Sequence, residues 1–179
     1  MIDSWTGVGG EDVAGFEEFV LARTDALLRF GYVLTGDASR AEDVLQEALL
    51  DVHRHWDRLA AQGSPEPYVR RAMVNEYVSW RRRHSNRELP GEVPDLPAPD
   101  LADVGLAERD ALWRALARLP RRQRAVLVLR FYEDLSDSEI AAVLGCAGGT
   151  VRSLTSRALH ALRTDPDVGT GTLVPLEGS

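Results

Sequence analysis

Apolar residues recur along most of this chain at three- and four-residue intervals, the period of helices that bury one side. Phe16, Phe19, Val20, Arg23, Leu27, Phe30 and Leu34 fall near that spacing and predict a first helix over residues 14–34. Thr35-Gly36-Asp37 reads as a turn, with Asp37 placed to cap a second helix running to about Leu59. Its stripe is Ala41, Val44, Leu45, Ala48, Leu49, Val52, Trp56 and Leu59, a face expected to be buried. Ala60 to Ser64 reads as a loop, and Pro65 and Pro67 suit the first turn of a third helix ending near Arg83. Helical pattern returns over about Asp103 to Leu119 and again from Pro120 to Tyr132. Ser136-Asp137-Ser138-Glu139 has the form of a capping box that opens a short helix ending at Gly145. A last helix spans about Gly149 to Arg163. No strand pattern competes, so the predicted fold is all-α.

Punctuation divides these helices. Pro90, Pro94, Pro97 and Pro99, interleaved with acids, mark residues 86–102 as an extended, solvated linker. Two small helical domains are therefore expected, over 14–85 and 103–164, with a tail over 165–179. The C-terminal one contains a short helix, a glycine turn and an amphipathic helix, which is the form of a helix-turn-helix.

Charge sharpens the division. The net charge is −7, yet it is unevenly spread, and every one of the 21 basic residues is arginine. Residues 67–87 hold 6 arginines against 1 acid, and 111–164 hold 9 against 4. Residues 1–66 hold 13 acids against 5 arginines, and the linker region is acidic as well. Two basic blocks separated by acidic chain suggest two nucleic-acid contacts, with acidic surfaces kept for another partner. The overall negative charge argues against a free-standing DNA coater, which would be repelled by the duplex.

Helical geometry then selects side chains. In the last helix Val151, Leu154, Thr155, Ala158 and Leu162 face inward. Arg152, Ser153, Ser156, His160 and Arg163 face outward, with Arg157 at the border, and these can reach base edges and phosphates. In the third helix Val69, Met73, Tyr77 and Trp80 form the core side. Arg71, Asn75, Val78, Ser79 and Arg82 form a second side, assigned to nucleic acid. On the second helix Asp43, Gln46, Glu47 and Leu50 lie opposite the buried stripe. An acidic face with one apolar residue suits a basic partner helix.

Other tempting residues carry no chemistry. His53 and His55 stand two apart and point away from each other on a helix. Cys146, the single cysteine, has no ligands at metal spacing. No nucleophile elbow, phosphate loop or carboxylate pair appears. No metal, no cofactor and no enzymatic activity are expected. The chain lacks eighteen consecutive apolar residues and a signal-peptide pattern, so a cytoplasmic protein with no membrane contact is expected.

Two segments carry a family resemblance. Leu119-Pro-Arg-Arg-Gln-Arg-Ala-Val-Leu-Val-Leu-Arg-Phe-Tyr-Glu-Asp-Leu135, the capping-box helix, Gly149-Thr-Val-Arg-Ser153 and Ser156-Arg-Ala-Leu-His-Ala-Leu-Arg163 resemble domain 4 of extracytoplasmic-function (ECF) sigma factors. Ala41-Glu-Asp-Val-Leu-Gln-Glu-Ala48 resembles the docking segment of their domain 2. The likeness covers about residues 14–163, and the chain resembles the actinobacterial SigE-like group of the sigma-70 superfamily.

The resemblance implies a subunit that binds core RNA polymerase and directs promoter-specific initiation. Arg152, Ser153, Ser156, Arg157 and His160 would meet the −35 element. Arg71, Asn75, Ser79 and Arg82 would meet the −10 element as it melts. Asp43, Gln46, Glu47 and Leu50 would dock on the polymerase. The loop from Leu59 to Pro67 resembles the family loop that captures a flipped-out base. The resemblance also implies an anti-sigma factor as a further partner, although no residue identifies one. Where the family usually has serine and valine, this chain has Ala147 and Gly148, which removes an N-cap from the recognition helix. Two other readings compete: an autonomous helix-turn-helix regulator, and an adaptor binding protein alone. The first leaves the docking face unused, and the second leaves the arginine blocks unexplained.

Overall fold

The computed structural model describes residues 10–61, 63–79 and 106–168, and the side chains of 15–61, 63–79 and 111–168. Eight α-helices and no strand occur among the described residues: α1 (Gly10–Thr35), α2 (Ala38–His53), α3 (Trp56–Ala61), α4 (Glu66–Ser79), α5 (Leu106–Arg118), α6 (Arg121–Phe131), α7 (Asp137–Leu144) and α8 (Gly148–Arg163). The expected linker over 86–102, Trp80 and Arg82 lie outside the described residues, as does the tail beyond Val168.

Gly36 reverses the chain between α1 and α2 at φ +75°, a left-handed conformation that glycine adopts without a Cβ clash. Asp37 then caps α2, its carboxylate accepting the Arg40 N–H at 2.8 Å. The inward stripes of α1 and α2 meet across this turn. Leu27, Phe30 and Leu34 join Val44, Leu45, Ala48 and Val52 in one cluster, completed by Val69, Met73, Val74 and Tyr77 of α4. Each valine, leucine, phenylalanine or methionine among them stabilises the fold by about 1.5–3 kcal/mol relative to remaining exposed.

The single helix expected from Asp37 to Leu59 is two. α2 ends at His53 and α3 starts at Trp56. The His55 N–H bonds the Val52 carbonyl at 2.9 Å, a tightened i to i+3 turn, and the His55 ring bonds the Asp51 carbonyl. Trp56 and Leu59 stay buried across this break, so the apolar pattern continues while the axis does not.

The C-terminal half is built around α6. Its residues Ala125 to Leu129 are all buried, as a helix enclosed on every side requires. Ala115, Leu119, Leu127, Ala158 and Leu162 form a second cluster with Val168. Arg118 bonds Asp165 at 2.6 Å and Asp167 at 3.0 Å, folding the start of the expected tail back over α5. No helix among the described residues is long and apolar enough to cross a membrane.

The two halves also touch. Ala125, Val126, Val128, Leu129, Ile140, Leu144 and Val151 belong to the same cluster as the core of α1, α2 and α4.

Candidate nucleic-acid interface

The helix-turn-helix is set by its caps. The Ser136 hydroxyl accepts the Glu139 N–H, and the Glu139 carboxylate accepts the Ser136 N–H at 2.9 Å, closing the capping box. These bonds hold the Glu139 carboxyl below its ordinary pKa. At the other end Gly145 adopts φ 59° and ψ 44°, its N–H returning to the Ala141 carbonyl. Cys146 N–H bonds the same carbonyl at 3.0 Å, so the turn is held twice before α8 begins. Ala147 takes the N-cap position of α8 with no side-chain bond, as the missing serine leads one to expect.

Val151, Thr155, Ala158 and Leu162 anchor α8 against the core, and Leu154 is half-buried. Arg152, Ser153, Ser156, Arg157 and His160 are all exposed on the other side. Among the described residues Arg152 has a loose ion pair with Asp137, 3.9 Å away, and it is 71% exposed. Asp137 is held more closely by Arg130. The five side chains therefore share one accessible face of a helix whose opposite side is buried.

On α4, Arg71 and Asn75 are exposed and Ser79 is half-buried, donating to the Glu76 carbonyl at 3.2 Å. Arg71 and Asn75 line a groove of about 610 Å³ between α2 and α4. Its other walls include Glu47, Asp51, Arg54 and Tyr68. Tyr68 presents an aromatic ring there, its hydroxyl 3.5 Å from Asp51. Arg54, Asp51 and Tyr68 escape a helix-by-helix inspection because they meet only when α2 and α4 pack.

Asp43, Gln46, Glu47 and Leu50 are exposed together on α2, and Leu50 is 55% exposed, an apolar residue left open amid acids. Glu47 stands at the boundary between this face and the groove. No group of three or more His, Cys, Asp or Glu residues that could hold a metal occurs among the described residues.

A capped helix-turn-helix with a basic outer face, joined to a second helical unit with its own arginine-bearing groove, is an arrangement of the kind found in DNA-binding proteins of transcription. Comparison with known proteins narrows the class. Residues 115–164 match the family model of sigma-70 region 4, and residues 19–87 match that of sigma-70 region 2. The RNA polymerase sigma-E factor of Streptomyces avermitilis is 40% identical over 155 residues, covering 86% of each chain. The ECF RNA polymerase sigma factor SigL of Mycobacterium tuberculosis is 34% identical over 143 residues, covering 76% of this chain and 80% of the relative. A solved structure of the sigma factor RpoE with the anti-sigma factor NepR, from Bartonella quintana, shares the fold. It has a TM-score of 0.59 at 24% identity and covers 83% of this chain and 94% of that one. The chain belongs to the sigma-70 family and is an RNA polymerase sigma factor of the ECF type.

Proposed function

We propose that region 2 and region 4 divide promoter recognition between two faces of this chain, while a third face holds the polymerase. Arg152, Ser153, Ser156, Arg157 and His160 contact the −35 duplex, with α8 in the major groove. Arg71, Asn75, Ser79 and Arg82 contact the −10 strand as it opens. The groove between α2 and α4 takes an unstacked base, with the Tyr68 ring as a stacking surface. Asp43, Gln46, Glu47 and Leu50 dock on a basic helical element of core polymerase.

The working units are residues 14–85 and 103–164, joined by 86–102 and followed by a tail over 165–179. The protein acts in the cytoplasm, carries out no bond-forming step itself and is controlled by an anti-sigma factor. The observation that carries this division is the exposure of the α8 set, of the α2 set and of Arg71 and Asn75 on faces opposite buried stripes. The alternative of a self-sufficient regulator leaves the acidic α2 face without a purpose.

Reconstitution tests it. Core polymerase with this chain should initiate specifically, and the chain alone should bind promoter DNA weakly. Tight sequence-specific binding by the chain alone, without stimulation of polymerase, would refute the division.

A further inference from the structure

Three helices of region 4 meet at one carboxylate. Asp137 is the first residue of α7. Arg130, in the last turn of α6, donates from Nη2 to Asp137 Oδ1. Arg152 Nη1, on α8, faces the other oxygen, Oδ2, at 3.9 Å. Asp137 and Arg130 are both half-buried, whereas Arg152 is exposed. The carboxylate is thus fixed by the supporting helix and offered to the outer face of the recognition helix.

The rest of the Arg152 side chain is placed by its own helix. Helical side chains lean toward the N-terminus, over the residues three and four positions earlier. For Arg152 those are Gly149 and Gly148. A Cβ at Gly148 would lie 4.0 Å from Nη1, and a Cβ at Gly149 would lie 4.0 Å from Nη2. The guanidinium therefore rests along the first turn of α8. That end of a helix disfavours a cation, and the Asp137 carboxylate supplies the opposing charge. A valine at 148 would extend its branched carbons past that Cβ, into the space the guanidinium occupies.

We propose that Asp137 is a positioning residue for −35 recognition: by facing Nη1 it keeps Arg152 on the first turn of α8, leaving Nη2 and Nε for a guanine edge. An unrestrained arginine follows any phosphate within reach. One held in advance loses less conformational entropy on making a directed, two-donor contact. Asp137 also places a negative charge beside the duplex, which weakens binding wherever phosphates alone are contacted. Both effects raise the ratio of specific to non-specific binding, the quantity by which a promoter is selected.

The proposal rests on the reading of Arg152 as a −35 contact, and the test separates the two. Core polymerase with the full chain is titrated against two fluorescein-labelled duplexes. One is a promoter that this holoenzyme transcribes, and the other is the same promoter with its −35 element scrambled. Asp137→Asn should lower the ratio of the two affinities about threefold, a change within reach of a surface ion pair. The intact promoter should bind more weakly and the scrambled one more tightly. In an Arg152→Ala background Asp137→Asn should change nothing further, as coupling between the two requires. Gly148→Val displaces Arg152 while leaving Arg130 and Asp137 paired, and valine suits a helix no worse than glycine. It carries the same expectation should Asp137→Asn fail to fold. An unchanged ratio in the folded variant, or a loss that persists without Arg152, would overturn the positioning role and leave Arg152 as a contact. An unchanged ratio in Arg152→Ala itself would remove the contact, and the positioning role with it.

Discussion

The most consequential residues here are surface ones whose neighbours give them direction. Asp43 and Glu47 are exposed on α2 while Val44, Leu45 and Ala48 beside them are buried. Reversing their charge therefore leaves the core untouched and changes only what approaches. A single surface pair contributes about 0–1 kcal/mol, but reversal adds repulsion against a basic partner. Asp43→Arg with Glu47→Arg should weaken core polymerase binding about tenfold or more, with the thermal midpoint of the free chain unchanged. Titration of labelled polymerase measures the first and a melting curve the second. Equal affinity in the doubly reversed variant would remove α2 as the docking face. Arg70 is the opposite case, an arginine whose direction comes from two acids. Burial works against its charge, but the Glu66 hydrogen bond and the charges of Glu133 and Glu66 more than offset it, so its pKa lies above the ordinary value. Glu133 shares that one guanidinium with Glu66. Burial pushes its carboxyl up, and Arg70 pulls it down without fully offsetting the effect.

Among the elements, those with local punctuation were legible and those set by packing were not. Ser136, Glu139 and Gly145 announce α7 because a capping box and a left-handed glycine depend only on neighbours along the chain. The break at Arg54-His55 was hidden because Val52, Trp56 and Leu59 keep a helical period across it, and no glycine or proline marks it. The faces of α8 and α2 emerged as expected from periodicity. The groove holding Tyr68 and Arg54 did not, because two helices must pack before it exists. The same distinction explains Arg124: in Leu119-Pro-Arg-Arg-Gln-Arg it looks like one more member of a basic block, and only tertiary contact buries it. Ala147, by contrast, is a local defect with a local remedy. The N-cap of α8 makes no side-chain bond at φ −75° and ψ 148°, an extended conformation that serine accepts. Ala147→Ser should stabilise region 4 by about 0.5–2 kcal/mol. It should also slow amide exchange in the first turn of α8. A melting temperature and exchange pattern identical to wild type would show that the cap is not what limits this helix.

At the scale of the whole molecule, the proposed function assigns promoter DNA to two regions of one chain. Elements at −35 and −10 are about 25 base pairs apart, roughly 85 Å along a duplex at about 3.4 Å per pair. A compact chain of this length has a radius of gyration of about 16 Å, so both contacts at once require the regions to be apart. If region 4 reads duplex and region 2 reads the opened strand, their mutants should fail in different ways. Arg152→Ala removes an exposed guanidinium from the outer face of α8, leaving Val151 and Thr155 in the core. With polymerase present it should weaken recruitment to duplex promoter by about 1–3 kcal/mol if it makes a bidentate base contact, and matter little once the downstream segment is already melted. Asn75→Ala removes a side chain from the groove rim on α4, where no duplex recruitment is expected. It should slow strand opening, and a pre-melted bubble should restore part of the loss. Permanganate footprinting reports opening, and binding to duplex and bubble templates reports recruitment. Should Arg152→Ala and Asn75→Ala give the same profile on both templates, the division between α8 and α4 would fail, whatever the state of the interface that joins them.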